Sequence, residues 1–423
     1  MNVGYVHTLE TPPNSIDRGQ LKINVIDQTT NRPIENARVE ISYTADPDSR
    51  IEEISTNSIG QTEPVILPAP PVEYSMEPGI EQPYAQYTVT VRAEGYQPFS
   101  VSGTNVFSGE LAIQDTQLLR TQRNEVPDNI VIPAHTLYGD YPEKIPESEV
   151  KPVNQPGEIV LSRVVVPGTI VVHDGAPTDS TAQDYYVTYG DYIKNVASSE
   201  IYSTWPTSTI TANVLAIMSF TLNRVYTEWY RNQGYNFTIT SSTAFDHKWM
   251  PGRNIFESIS TVVDDVFDNY LSRPNVKQPI LTQYCDGKRV TCPKWMTQWG
   301  SKYLGDQNYT PIEILRHFYG DTMYINTAEQ ISGIPSSWPG ANLDISSSGQ
   351  KVRQLQEQLN LIGEFYNTIP RLTPDGTYGE RTAEAVRAFQ KVFDMPQTGI
   401  IDFATWYRIS DKYVRLSEIA ELQ

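Results

Sequence analysis

The hydrophobic period changes along the chain, and each change limits how the next block can fold. From residue 20 to about 120, apolar and polar residues alternate in short runs bounded by Pro, Gly, Asn or Asp, as in half-buried β-strands. Residues 121–157 are rich in proline and charge and have no amphipathic period. From residue 158 onwards strands mix with helices, and the last block is helical. We therefore predict an α+β multidomain protein that begins with a small antiparallel β-sandwich.

The proline-rich stretch is the natural domain boundary. A chain of this composition runs extended over a surface and is a preferred site of proteolysis. We expect a β-sandwich over residues 1–120, a linker over 121–157, a mixed α+β domain over 158–338 and a helical domain over 339–423.

The net charge disfavours some classes of partner. The chain has 50 acidic and 32 basic residues, a net charge of -18 and a pI of about 4.7. Such a charge argues against binding to nucleic acid and to anionic membrane surfaces, whereas a neutral sugar chain remains a suitable ligand. No apolar run of roughly 18 residues predicts a membrane span, and no secretory signal is expected at the N-terminus.

An acidic residue interrupts an apolar helix face at Glu200. In the stretch DYIKNVASSEI, Glu200 falls four residues after Val196 and eight after Tyr192, on the apolar face of the predicted helix. A carboxyl group at this position faces the protein or a cleft, although a glutamate at a helix boundary can also curl out to solvent.

Two blocks have the patterns of known binding modules. In the last block Val352, Leu355 and Leu359 share one helix face, and the turns DGTYG and QTG separate three predicted helices. Over about 65 residues this block resembles the peptidoglycan-binding module of cell-wall hydrolases. The first block, with DQTTNRPIENARVEI, TNSIGQT and VRAEGYQPFSV, resembles the transthyretin-like fold of carboxypeptidase regulatory domains.

The central block carries two separated motifs over about 180 residues. The motifs are Ser199-Glu200, Trp205-Pro206, Gln298-Trp299-Gly300 and Tyr319-Gly320. They resemble the signatures of the stage II sporulation protein D (SpoIID) family of lytic transglycosylases, in which a helix ends in a Ser-Glu pair. The central block is therefore expected to be a SpoIID-like catalytic domain.

The order of the three blocks resembles the SleC-type clostridial spore cortex-lytic enzymes. This resemblance implies an inactive precursor in the cortex or coat region of the dormant spore, with cortex peptidoglycan as substrate. It also implies a subtilisin-like germination protease as partner, which cleaves within residues 121–157 to release the active enzyme. No cofactor is expected.

The implied reaction needs one carboxyl group, for which Glu200 is the candidate. Ordinary glycosidases use two. A lytic transglycosylase protonates the glycosidic oxygen and then takes the proton of the muramic acid C6 hydroxyl as that oxygen attacks C1, which leaves a 1,6-anhydro end. The same group is an acid and then a base, so its pKa should lie near working pH, and desolvation on an apolar helix face raises a carboxyl pKa.

Five further residues are candidates for substrate binding. They are Ser199, Trp205, Tyr284, Gln298 and Trp299. The two aromatic side chains Tyr284 and Trp299 suit stacking on sugar rings, although buried core aromatics are equally common. Gln298 either bonds a sugar acetamido group or orders its loop.

Other acids are weaker candidates. We expect Asp264 and Asp265 to lie on the solvated face of a helix. Asp246 beside His247 is expected in a polar loop rather than in the lining of a cleft.

Cys285 and Cys292 are the chain's two cysteines, separated by six residues. Some members of the sporulation family bind zinc near this point, but a zinc site needs about four ligands. Neither a CxxC nor an HxxxH spacing supplies the others. A hairpin disulfide and two reduced thiols both remain open, and no metal is predicted.

Two other functions fit the same blocks. An N-acetylmuramoyl-L-alanine amidase would act on a different bond of the same wall and normally requires a metal-bound water, which the few histidines disfavour. A non-catalytic wall-binding protein would use both later blocks for attachment alone. These alternatives differ in their products.

Overall fold

The first block folds into two β-sheets that share a buried core. The computed structural model describes residues 17–79, 81–121, 128–152, 160–328, 330–332 and 338–417. The elements of this block are β1 (Asp17–Asp27), β2 (Arg38–Tyr43), β3 (Asp46–Ser55), β4 (Val65–Ala69), the short helix α1 (Glu73–Met76), β5 (Ala85–Arg92), β6 (Phe99–Val106), β7 (Leu111–Leu118) and β8 (Asp128–Val131).

The period-2 pattern places one face of each central strand in the core. In β1 the alternate residues Leu21, Ile23 and Val25 are fully buried. One sheet has the order β3-β2-β5-β6-β8, and the other contains β7-β1-β4. Contrary to the expectation of a purely antiparallel fold, β1 pairs with β7 and β6 with β8 in parallel.

The central block mixes short strands with helices. Its elements are β9 (Val165–Val166), β10 (Thr169–His173), β11 (Asp184–Thr188), α2 (Tyr189–Glu200), α3 (Thr207–Tyr226), β12 (Ile239–Thr240), β13 (Ile255–Phe256), α4 (Glu257–Asp265), β14 (Asn269–Ser272), β15 (Tyr284–Cys285), β16 (Met296–Thr297), α5 (Gln298–Asp306), α6 (Pro311–Tyr319), β17 (Tyr324–Thr327) and β18 (Gln330–Ile331). Helix α3 is buried along most of its length, and α2, α4, α5 and α6 pack around it.

A strand of the central block extends a sheet of the first block. β13 pairs antiparallel with β7, so that this sheet has the order β13-β7-β1-β4. Next to it, the side chain of Asn254 accepts the Asn105 N–H at 2.9 Å and donates to the Asn105 carbonyl at 3.0 Å. The rings of Phe256 and Phe107 meet edge to face at 5.2 Å. Backbone pairing therefore joins the two blocks across the predicted boundary.

The last block contains three helices, α7 (Gln350–Phe365), α8 (Glu380–Val392) and α9 (Phe403–Leu416). Buried Leu355, Leu359, Val386 and Phe389 lie in its core, with Trp406 of α9. None of the helices in the described parts of the chain is long and apolar enough to cross a membrane. The predicted α+β multidomain architecture is therefore confirmed.

The predicted linker differs most from the expectation. Its described part, residues 128–152, does not run free over the surface, because Ile132, Leu137, Lys144 and Lys151 are all buried. The remainder of 121–157 lies outside the described residues. Proline and charge alone predicted exposure, but Lys144 donates to carbonyls of the central block and Lys151 lies over the Trp229 ring.

Asp264 also corrects a prediction, because it is not a solvated residue. Its carboxylate pairs with Lys194 of α2 at 2.8 Å and with Arg408 of α9 at 3.1 Å, and its side chain is 12% exposed. Asp265 is exposed, as expected. The ion pairs link helices of the central and last blocks, and the rings of Phe267 and Tyr407 pack beside them at 3.9 Å.

Replacing Asp264 with Ala should destabilise the chain strongly. Two buried cations would lose their shared anion, which typically costs on the order of 3 kcal/mol. The control is Glu357→Ala, because Glu357 pairs with Arg353 and the two side chains are 52% and 55% exposed, so the cost should stay below about 1 kcal/mol. Urea unfolding followed by tryptophan fluorescence measures both, and equal losses would contradict a buried ion cluster.

Candidate active site

Helix α2 delivers Glu200 into the protein interior. The helix begins after Thr188, whose hydroxyl accepts the Asp191 N–H at 3.3 Å, and Glu200 is its last residue. Tyr192 and Val196 on the same stripe are fully buried, and Glu200 is 1% exposed. The turn before α3 then leads the chain away. The apolar helix face thus places one carboxyl group where water is excluded.

The Glu200 carboxyl is held at both oxygens. The Tyr284 hydroxyl donates to Oε2, and the backbone N–H of Lys248 donates to Oε1. Burial raises the pKa of Glu200 above its usual value, although the positive charge of Lys144 and the Tyr284 hydrogen bond oppose this shift. Burial also raises the pKa of Tyr284 far above its usual value, so its hydroxyl stays protonated as a donor.

A layer of aromatic rings lies next to this carboxyl. The ring of Tyr284 stacks on His247 with centroids 5.9 Å apart, and His247 contacts Phe220 at 4.4 Å. Burial lowers the pKa of His247 well below its usual value, so the ring is neutral. Its Nδ1 lies 3.1 Å from the Tyr192 hydroxyl. The layer keeps the surroundings of Glu200 apolar.

Asp246 and His247 are buried core residues rather than members of a polar loop. Asp246 pairs with Arg224 Nε at 2.7 Å and accepts hydrogen bonds from Tyr230 at 2.6 Å and from the hydroxyl of Thr240 at 2.7 Å. The expectation failed because Arg224 lies on α3 and is distant in sequence from its partner.

Lys144, from the predicted linker, reaches the catalytic candidate. Its ammonium group donates to the carbonyls of Asp246 and, at 3.2 Å, of Thr243, and it lies 5.0 Å from the centroid of the Tyr284 ring. Burial lowers the pKa of Lys144, while Glu200 acts in the opposite direction. A positive charge therefore occupies the space beside Glu200.

Residues shortly before Lys144 in the chain border the cavity beside Glu200. Tyr141 donates to the Ser199 carbonyl at 2.9 Å, and the Leu137 N–H donates to the Tyr202 hydroxyl at 2.8 Å. The cavity is lined by Glu200, Tyr284 and Gln298 together with residues of the predicted linker, among them Tyr141 and Lys144. We call residues 128–152 the covering segment.

The other predicted site residues surround Glu200 but differ in access. Gln298 lines the cavity and donates to the Glu200 carbonyl at 2.7 Å, so it orders the end of α2. Ser199 is buried, with its hydroxyl on the Asn195 carbonyl at 2.9 Å. Trp205 and Trp299 are buried and pack 5.1 Å apart. Their indole N–H groups donate to the carbonyls of Ser75 and Leu137 respectively.

Cys285 and Cys292 form a disulfide, which resolves the open alternative. It closes a short loop in which Asp286 accepts the N–H groups of Lys288 at 2.7 Å and Val290 at 3.0 Å. Asp286 also accepts the Gly139 N–H of the covering segment at 2.7 Å. Among the described residues, no cluster of three or more His, Cys, Asp or Glu side chains is arranged to hold a metal.

One part of the chain matches a protein family. Residues 348–409 match the family model of a peptidoglycan binding domain. They lie within the block predicted to have this role, so the C-terminal peptidoglycan-binding domain is confirmed. The chain is accordingly a cell-wall-related protein with peptidoglycan as a partner.

Three solved structures each resemble a small part of the chain. The Bacillus anthracis TIE protein has 17% identity and a TM-score of 0.18 over 25% of this chain and 17% of its own. Klebsiella pneumoniae 5-hydroxyisourate hydrolase has 14% identity and a TM-score of 0.17 over 24% of this chain and 92% of its own. A minor pilin of Streptococcus agalactiae has 12% identity and a TM-score of 0.18 over 27% and 49%. Scores this low support no conclusion on fold or function, and no curated protein matches the chain.

Acid should loosen the covering segment through His135. This ring lies between Tyr84 at 6.0 Å and Tyr141 at 5.8 Å, and burial together with Arg253 lowers its pKa to about 4. Because the docked segment favours the neutral His135 ring, docking of the covering segment is strongest above the pKa of a free histidine, roughly 6.5. It weakens as the pH falls from there towards about 4. At pH 5 the loss should approach about 2 kcal/mol.

Hydrogen exchange of residues 128–152 at pH 7.5 and pH 5, corrected for intrinsic rates, measures this loss. The pH dependence should disappear in His135→Phe and persist in His317→Gln, because His317 is exposed and lies on α6. The same pH dependence in His135→Phe as in the unchanged chain would refute the role of His135.

Proposed function

We propose that the chain is the latent precursor of a lytic transglycosylase of spore cortex peptidoglycan, with Glu200 as the acid and then the base. The observation that carries this proposal is a single buried carboxyl with a raised pKa beside a cavity, held by Tyr284 and Lys248. The peptidoglycan-binding domain of the same chain supports the choice of substrate. The SpoIID-like motifs support the reaction type.

The proposed reaction uses one proton twice. Protonated Glu200 donates to the glycosidic oxygen between N-acetylmuramic acid and N-acetylglucosamine, and the bond from that oxygen to C1 breaks. The C6 hydroxyl oxygen of muramic acid attacks C1, and the Glu200 carboxylate takes the hydroxyl proton. The products are a 1,6-anhydromuramic end and a free hydroxyl, without consumption of water. Tyr284 steadies the carboxylate form between the two steps.

The covering segment accounts for latency in this proposal. It fills the space beside Glu200 with Tyr141 and Lys144, so a glycan cannot enter. A chain cut by a subtilisin-like germination protease would hold the segment only by a bimolecular contact. The intramolecular effective concentration, typically millimolar or so, would then be lost. In this way proteolysis would open the site.

The position of the cut should decide whether activity appears. A cut between residues 155 and 156 leaves the covering segment on the N-terminal fragment, whereas a cut between residues 124 and 125 leaves it attached to the central block. Inserting one recognition sequence for a specific protease at each position gives a matched pair. We expect cortex solubilisation to rise at least about tenfold after the first cut only. Equal activity after both cuts would contradict occlusion by residues 128–152.

Replacing Glu200 with Gln should abolish the reaction. The amide cannot deliver or take up the proton, and loss of general acid–base catalysis typically costs about 10²–10⁴-fold in rate. The measurement is the release of anhydromuramic ends from cortex by the chain cut between residues 155 and 156, quantified by mass spectrometry. Glu357→Gln is the control, because Glu357 lies exposed on α7.

The products also separate the alternatives. Free alanine amino groups without anhydro ends would identify an amidase. Binding to cortex with no new ends from any variant would identify a wall-binding protein. Full activity of Glu200→Gln would remove Glu200 from the mechanism.

A further inference from the structure

Beyond Lys144, the covering segment continues along a polar groove of the central block. The groove walls are residues 244–246 and 278–283. Backbone groups at alternate positions of the segment bond to both walls. Ile145 N–H donates to the Ala244 carbonyl at 2.8 Å, and Glu147 N–H donates to Gln283 Oε1 at 2.9 Å. Further along, the Glu149 carbonyl accepts from Leu281 N–H at 2.8 Å, and Lys151 N–H donates to Gln278 Oε1 at 2.6 Å. Residues 145–151 thus lie between these two walls.

Two carboxylates of the segment each meet an arginine in this groove. Glu147 accepts from the two terminal nitrogens of Arg224 at 2.9 and 2.6 Å. Two residues later, Glu149 accepts from Nε and a terminal nitrogen of Arg273 at 2.6 and 2.8 Å. Both pairs have the two-pronged geometry in which guanidinium groups bind carboxylates most specifically.

The central block holds both guanidinium groups independently of the segment. The Arg224 side chain is fully buried, and its Nε pairs with Asp246. The Arg273 side chain is 20% exposed and also donates to the Tyr319 carbonyl and, at 3.0 Å, to the Thr322 hydroxyl. When the segment leaves, each arginine keeps its position and loses two acceptors. Each vacated arginine then presents two donors in a fixed direction, so a new carboxylate can bind there without reorganisation of the side chain.

We propose that Arg224 and Arg273 form two subsites for carboxylate groups of the substrate, which Glu147 and Glu149 occupy in the uncut chain. The proposal rests on the proposed function and adds which part of peptidoglycan the groove recognises. Two chemical sources exist, the peptide stems and the lactyl group of muramic acid once its stem is removed. The two glutamates are two residues apart in the chain, so the two subsites are neighbours.

Arg273 is the residue to vary, because burial of Arg224 makes its replacement a risk to folding. The chain cut between residues 155 and 156, with both fragments present, is assayed at fixed ionic strength on three substrates. These are intact peptidoglycan, amidase-treated glycan with free lactyl carboxylates, and peptidoglycan whose carboxylates are blocked as methylamides. Release of anhydro ends gives KM and kcat for each.

Arg273→Gln should raise KM on intact peptidoglycan about tenfold or more, leave kcat nearly unchanged and have no effect on the blocked substrate. Arg273→Lys should fall between, since it keeps the charge and loses the fork. Arg316→Gln, an exposed arginine of α6, is the control. If Arg273→Gln also raises KM on amidase-treated glycan, the bound carboxylate belongs to the lactyl group. If it does not, the bound carboxylate belongs to the peptide stems.

Glu149→Gln separates substrate binding from mere retention of the segment. Glu149→Gln weakens retention of the segment, which competes with the substrate, so this variant should lower KM or leave it unchanged. Arg273→Gln should raise KM, because it removes a substrate subsite. A lowered or unchanged KM in Arg273→Gln, or an equal rise on the blocked substrate, would overturn the proposal.

Failure of the proposed function gives a different result. The cut wild-type chain would then release no anhydro ends from any of the three substrates. In that case the carboxylate subsites are tested by binding alone. The cut Glu200→Gln chain and the cut Glu200→Gln, Arg273→Gln chain are each co-sedimented with the same three substrates. Equal binding by the two chains to intact and blocked peptidoglycan would reject the carboxylate subsites.

Discussion

The burial of the Glu200 carboxyl at the end of α2 is the constraint on which the rest of the site depends. A charged carboxylate is costly in such a place, so its pKa rises and its oxygens need donors. The donors come from distant parts of the chain, the Tyr284 hydroxyl and the Lys248 N–H. Gln298 fixes the end of the helix itself through the Glu200 carbonyl. Three separate stretches therefore converge on one residue.

The covering segment supplies charges opposite in sign to those of the groups that it meets in the central block. Lys144 brings a cation to Glu200, while Glu147 and Glu149 bring anions to the two arginines further along. Beyond β8 and Ile132, its backbone bonds go mainly to side chains and loops rather than to a regular sheet. Such contacts hold well as part of one chain and weakly between two fragments, as the proposed release of the segment requires.

The sequence predicted features that depend on local pattern. The apolar stripe through Tyr192 and Val196 placed Glu200 inside, and the helix faces of the last block predicted a domain that the family match confirms. Partners distant in sequence were missed. Asp264 was assigned to solvent because its cations, Lys194 and Arg408, lie on other helices. Lys144 was missed for the same reason, since a proline-rich stretch has no period that shows what its charges contact.

Water exclusion explains why one surface serves both the latent and the proposed active form. In the uncut chain the covering segment contributes to the desolvation that raises the pKa of Glu200, while Lys144 opposes it. Removal of the segment takes away the cation and also admits water, and these changes shift the pKa in opposite directions. In the proposed reaction, the Glu200 carboxyl would regain its apolar surroundings only when a glycan fills the same space. The proton would thus be released mainly when substrate has replaced the segment, which couples acidity to occupancy of the groove.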